Sequence, residues 1–338
     1  MATKVSNRSL AKNALAVVEL LPAAAAVASA PSILCAHATG FCKEVFRPIV
    51  HELVASRVPL RSATSLDFRG HGERGYEHIR SPLSWWDFAR DARNAATSAR
   101  ASTGGRPLVG VGHSKGATAL TLAELDKPGT FDALVLVEPI FFDSAFEGAL
   151  DFSANPMVPA TKRRRAVFDD RSAAEHYFRK RSIWRDWDER ALEEYLTHGL
   201  RPVSDKERDA VRADGASTAA ALGAAAVALR CAPSFEAKVY ELGVSAWERL
   251  AEITCPVTLI VGAESHHLDG VGGGSTARYY SDVVAPLFRT APFVRTVAGA
   301  SHFVAMEQPA VIGEEIAKAC TALTSPPRLS ATVPPSRL

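Results

Sequence analysis

One serine, one histidine and a glutamate in this chain have neighbours that suit hydrolytic chemistry. Ser114 sits in Gly112-His113-Ser114-Lys115-Gly116, where the apolar run Leu108-Val109-Gly110-Val111 gives way to residues 117–125, a stretch with the composition and length of a helix. Strand, sharp turn and helix are the setting of a nucleophile elbow. Glycines two before and two after the serine let strand and helix pass closely, and the turn lifts the hydroxyl clear of the sheet. A serine hydroxyl is a weak nucleophile at neutral pH and needs a base within hydrogen-bond reach, oriented by a carboxylate. His302, in the small-residue loop Ala298-Gly299-Ala300-Ser301-His302-Phe303, is the best base, whereas His113 is expected to point away from its neighbour. Glu138 ends the buried run Ala133-Leu134-Val135-Leu136-Val137, so it falls on the strand edge where ligands gather in open α/β sheets. A loop-capping role is the competing reading of Glu138.

A third element faces the same edge. The apolar run Ser32-Ile33-Leu34-Cys35-Ala36 ends in His37-Ala38-Thr39-Gly40-Phe41. Small residues after a buried strand let the backbone turn tightly and leave amide N–H groups pointing into a cleft, which is what an oxyanion hole requires. Other chemically capable residues read as structural. His71, in Asp67-Phe68-Arg69-Gly70-His71-Gly72, suits a hydrogen-bonding role in a glycine turn. Lys162-Arg163-Arg164-Arg165 could hold an anion, but such runs are more often solvated helix faces. His266 and His267 are adjacent, so their side chains diverge on an extended chain and no metal site is expected.

The elements that must position these residues alternate strand and helix: strands at 32–36, 62–66, 108–111 and 133–137, helices at 43–56, 82–100 and 117–125. That alternation is the signature of a doubly wound, mostly parallel α/β sheet with helices on both faces. The pattern changes over residues 140–231, with helices expected at 172–181 and 188–198 and Trp184 and Trp187 between them. A helical insertion there would cover the cleft as a cap, leaving residues 1–139 and 232–324 as the core. The strand at 255–262, a glycine-rich loop at 270–274, a last strand at 293–297 and a closing helix at 309–323 follow.

Composition narrows the partners. The 338 residues carry 39 basic and 37 acidic side chains, a formal charge of +2, which gives no case for nucleic acid or an acidic membrane surface. Five cysteines without Cys-x-x-Cys spacing indicate neither a disulfide framework nor zinc, and a reducing compartment fits. No cofactor and no membrane span are expected, since Glu19 and Pro22 interrupt the apolar stretch at 14–30. That stretch follows Lys4, Arg8 and Lys12, so a cleaved leader competes with a first edge strand at 15–20 feeding a hairpin, and Glu19 favours the strand.

Taken together, residues 32–40, 67–72, 112–116, 255–262 and 299–302 resemble the α/β-hydrolase superfamily over nearly the whole chain, with serine, acid and histidine in the order expected of it. Within it, the chain looks most like the capped epoxide hydrolase and haloalkane dehalogenase type, and is similar to fungal peroxisomal lipases and toxin-biosynthesis hydrolases carrying His-Ala-x-Gly-Phe. The resemblance implies an α/β-hydrolase fold, an oxyanion hole from the backbone N–H groups of Thr39 and Lys115, and acyl transfer to water from a small-to-medium apolar ester or thioester. Ser114 replaces the aspartate of epoxide hydrolases and dehalogenases, which disfavours those two reactions. Superfamily members often carry an aspartate where Ser265 stands, with Glu264 and Asp269 nearby; some dehalogenases place the acid after the next strand, as at Glu138. Glu138 is the expected acid and Glu264 the alternative.

The resemblance leaves a non-hydrolytic ligand-binding protein and a carbon–carbon bond hydrolase as alternatives. A Pro-rich, flexible tail at 325–338 ends in Ser336-Arg337-Leu338, which resembles a peroxisomal address read by the import receptor. A peroxisomal location is therefore expected in a eukaryote and a cytoplasmic one otherwise.

Overall fold

The computed structural model describes residues 16–75, 83–142, 155–205, 207, 223–243, 246–266 and 274–324. The C-terminal tripeptide, the tail, His267, Asp269, most of the 270–274 loop and the basic residues before position 15 lie outside them. Strands β1 (Ala16–Glu19), β2 (Ser32–Ala36), β3 (Ser62–Asp67), β4 (Leu108–His113), β5 (Ala133–Val137), β9 (Val257–Gly262) and β10 (Phe293–Val297) form one sheet in the order β1-β3-β2-β4-β5-β9-β10. Only β1 is antiparallel. The strands β2, β4 and β5 are buried at every residue, as their unbroken apolar runs require of parallel strands covered on both faces.

Helices α1 (Arg47–Ala55) and α9 (Pro309–Thr324) pack together on one face, and α2 (Trp85–Ser102) and α3 (Lys115–Asp126) on the other. Within α2, Trp85 is buried and Trp86 exposed. β1 does not form a hairpin with β2. Both edges of β2 are taken by β3 and β4, so β1 joins the free edge of β3, and Glu19 there accepts the N–H of Ala63 at 2.8 Å.

Chain order reverses direction between β2 and β4: β3 lies outward of β2 on one side, β5 outward of β4 on the other. A crevice opens outside the carboxyl ends at such a switch point. The register aligns those ends, pairing Ala36 with Gly112, His113 with Val137 and Val297 with Gly262. Residues following β2, β4, β5, β9 and β10 therefore emerge on one rim.

Between β5 and β9 the chain forms helices α4 (Met157–Lys162), α5 (Arg171–Arg179), α6 (Ser182–Arg185) and α7 (Glu189–His198), then α8 (Pro233–Tyr240). Asp170 and Asp188 cap α5 and α7 by accepting the N–H groups of Ala173 and Arg190. The segment is not purely helical. Strands β6 (Val167–Phe168), β8 (Val227–Leu229) and β7 (Leu200–Pro202) make a small antiparallel sheet, too short for its alternation to show in the sequence.

Candidate active site

The turn after β4 has the geometry that its glycines anticipate. Ser114 has φ +53° and ψ −119°, a conformation that costs about 1–3 kcal/mol for a residue with a side chain. A Cβ on Gly112 would fall 2.4 Å from Ala117 Cα, and one on Gly116 would fall 1.9 Å from the Ala36 carbonyl oxygen. Strand, helix and the neighbouring strand meet too closely there for any side chain. Ser114 is pinned by its N–H donating to Val137 O at 2.8 Å, and Oγ is left on the rim.

Around this hydroxyl the fold brings two of the expected partners. His302 Nε2 lies 3.1 Å from Ser114 Oγ, and His302 Nδ1 lies 3.2 Å from Glu138 Oε2. A carboxylate only accepts, so Nδ1 carries the proton and Nε2 presents a lone pair to the serine. Glu138 is fully buried at φ +50°, its N–H donating to Ile260 O. Oε1 accepts the N–H of Gly262 at 2.6 Å, and Oε2 also accepts the hydroxyl of Ser265 at 2.9 Å. Glu264 is exposed, its backbone N–H donating to Ala300 O.

The base loop is held from two further sides. His113 Nε2 lies 2.8 Å from the carbonyl oxygen of His302, so His113 does turn away from Ser114 and grips the backbone of His302 instead. Burial holds His113 neutral, its pKa lowered to about 3. The Glu307 carboxylate accepts the N–H of Ser301 at 2.7 Å and also its hydroxyl. Neither contact is visible in the sequence, because His113 and Glu307 lie far from, or one helical turn after, the residues they hold.

The two expected oxyanion donors occupy suitable elements. Lys115 is the first residue of α3, where a backbone N–H has no partner within the helix. Thr39 is half-buried in the turn after β2. The turn rests on His37, whose Nε2 accepts Phe68 N–H at 3.3 Å, leaving Nδ1–H to donate to Ala38 O at 2.7 Å. The Lys115 side chain points into the core. Its Nζ lies 4.2 Å from the Phe68 ring centroid and 3.3 Å from His71 Nε2, and burial lowers its pKa to about 7. His71 Nδ1 bonds Arg69 O, the structural role its glycine turn suggests.

Phe41, at the end of the Thr39 turn, abuts Trp184 at 5.8 Å and Trp187 at 5.1 Å, and Trp187 abuts Phe303 at 6.0 Å. The inserted segment thus reaches both the Thr39 turn and the His302 loop with aromatic rings. Most of its basic run is the solvated face expected: Lys162, Arg163 and Arg165 are exposed, with Lys162 paired to Glu241 and Arg165 to Asp169, whereas Arg164 turns inward onto the buried Glu236. Among the described residues, no cluster of three or more His, Cys, Asp or Glu side chains could hold a metal, and no helix is long and apolar enough to cross a membrane.

Residues 33–315 match the model of the alpha/beta hydrolase family. The chain belongs to this family. A type I acyl-CoA thioesterase of Penicillium brevicompactum is 28% identical over 177 residues, 51% of this chain and 40% of that protein. The chain therefore matches about two fifths of the length of its curated relatives. A peroxisomal alpha-beta-hydrolase of Saccharomyces cerevisiae superposes with a TM-score of 0.66 at 18% identity, covering 91% of this chain and 82% of its own. A thioesterase domain from the curacin biosynthetic pathway gives 0.60 at 15% identity, covering 90% and 99%. At such identities these two likenesses concern the fold alone.

Proposed function

We propose that this α/β hydrolase is a serine hydrolase cleaving esters or thioesters of small-to-medium apolar acyl groups through an acyl-enzyme on Ser114. The observation that carries the reading is the continuous relay from Ser114 Oγ through His302 to the buried Glu138, at 3.1 and 3.2 Å. In this reading His302 takes the serine proton as Oγ attacks the carbonyl, then returns it to the leaving alcohol or thiol. Water repeats the cycle on the acyl-enzyme. Glu138 holds the imidazole tautomer and stabilises the imidazolium. The N–H groups of Thr39 and Lys115 receive the negative charge of the tetrahedral intermediate. Residues 140–231 act as the cap, and the aromatic wall of Phe41, Trp184 and Trp187 favours an apolar acyl group.

The acyl-CoA thioesterases among the relatives support including thioesters in the substrate class. The feature that favours a non-hydrolytic binder is serine in place of aspartate at position 265, and it loses its force because Glu138 sits where His302 needs an acid. A panel of p-nitrophenyl esters of graded chain length beside matching acyl-CoAs tests the proposal, with fluorophosphonate labelling as a second readout. The expected result is turnover and labelling, and Ser114→Ala lowers kcat by about 10³-fold or more. Ligand binding without turnover would replace the proposal with the binding protein, and cleavage confined to β-diketones with the carbon–carbon hydrolase.

A further inference from the structure

The turn that bears Thr39 is gripped from outside the sheet by residues to which the proposed chemistry gives no role. Gly40 has φ +86°, and a Cβ there would fall 2.8 Å from Glu236 Oε1, 3.1 Å from Glu236 Cδ and 3.3 Å from Glu236 Oε2. The Glu236 carboxyl group therefore lies flat over the Gly40 α-carbon. Glu236 is only 3% exposed, and it is held by the Arg164 guanidinium, with Nη1 donating to Oε1 at 3.1 Å and Nη2 donating to Oε2. A bidentate guanidinium–carboxylate pair fixes both the position and the plane of the carboxylate. The Gly40 N–H also bonds the Cys231 sulfur, the residue that follows β8.

The attachment has a second point. Phe235 fills the space over Gly70, where a Cβ would lie 2.0 Å from Phe235 Cε1, and its ring meets His71 edge-on at 5.6 Å. Helix α8 thus docks on two glycine turns of the core, while α4, packed against it, leads into the Arg164 loop. The turn's own closure is weak by comparison: Phe41 N–H reaches Ala38 O at only 3.4 Å.

We propose that Arg164 and Glu236 are positioning residues, a clasp that fixes the Thr39–Gly40 turn so that the Thr39 N–H is aimed at the oxyanion. This deepens the proposed function and rests on its assignment of Thr39. Two physical reasons require the pair and not the glutamate alone. A carboxylate beside the oxyanion turn would oppose the charge that develops there, and the guanidinium cancels that field. A buried carboxylate without its partner would also be costly enough to leave the seat.

The test compares wild type, Glu236→Gln and the double variant Arg164→Met/Glu236→Gln, which leaves no buried charge unpaired and so keeps the fold accessible. Hydrolysis of p-nitrophenyl butyrate gives kcat and KM. A trifluoromethyl ketone, whose serine adduct puts an alkoxide in the oxyanion position, gives a Ki. Amide hydrogen exchange follows residues 38–41. Both variants are expected to lose about tenfold or more in kcat, short of the 10²–10³ of a deleted donor, with KM within about twofold. The Ki should rise by the same factor and exchange at 38–41 should quicken. A folded double variant with kcat, Ki and exchange all within twofold of wild type overturns the clasp, and so does a change in KM alone. If wild type hydrolyses nothing, the proposed function fails and exchange alone judges the clasp; unchanged exchange then overturns it.

Discussion

The carboxyl ends of β5 and β9 are adjacent on the rim, and each is followed closely by a glutamate, yet the two glutamates have opposite surroundings. Glu138 is fully buried and bound to Gly262 N–H, the Ser265 hydroxyl and His302. Glu264 is exposed. The β9 end still contributes to these surroundings, with an N–H and a hydroxyl that steady the carboxylate from the neighbouring strand. What differs is which strand end supplies the charge and which supplies the donors. A fixed, desolvated carboxylate orients an imidazole far better than a solvated one, so the difference in burial favours Glu138 as the proposed acid.

That contrast is broken most directly by exchanging the two carboxylates for amides. Glu138→Gln removes the acceptor that selects the His302 tautomer and is expected to lower kcat by about 10²–10⁴-fold, while Glu264→Gln stays within about twofold. Ester turnover measured on both variants decides it; the reverse order would move the acid to β9. A sharper form returns the charge to the other strand end. In Glu138→Gln/Ser265→Asp, an aspartate stands where the serine now donates, and about tenfold of the lost kcat should return if the two ends are equivalent sites for the acid. No recovery would mean that the β5 backbone at φ +50° is itself required.

The donors behind the relay make a pH prediction. His113, His37 and His71 are all held neutral by burial, with pKa values below the ordinary 6.5. In the unfolded chain they take up protons as pH falls through about 6.5, which the folded chain refuses, so stability falls with pH below that point. Each contributes up to about 1.4 kcal/mol per pH unit, for His113 down to its folded value of about 3. Denaturant melts of His113→Gln should show a shallower loss between pH 6.5 and 4 than wild type.

A small catalytic effect is also expected at Lys115. Its proposed oxyanion donor is the backbone N–H, so Lys115→Met should keep kcat within about threefold and raise the melting temperature. The penalty for the buried amine is complete below its folded pKa of about 7 and vanishes toward the unfolded value near 10.5, so the gain in stability should shrink as pH rises between them. A gain that is flat with pH would count against an ionisation penalty.

Much of this was legible in the residues. The unbroken apolar runs of β2, β4 and β5 identify strands buried on both faces, since a parallel sheet roofed by helices leaves no polar side. The elbow glycines identify Ser114 because close approach of two backbones is a local requirement. Of the small sheet only β8 left a trace, in the apolar run at 227–231; β6 and β7, of two and three residues, are too short to establish an alternation. Arg164 was equally opaque: a basic residue in a basic run looks solvated until a carboxylate from α8 is folded onto it.

The sequence by itself carried the resemblance to the family in its motifs, and it determined which buried strands end on the rim and the presence there of a serine and a histidine, because these rest on local backbone chemistry or on burial periodicity. The tertiary structure alone decided the partnerships: Glu138 over Glu264 beside His302, His113 on the His302 carbonyl, and Glu236 over Gly40. Those depend on which distant segments exclude water around a polar group, and no spacing along the chain encodes that.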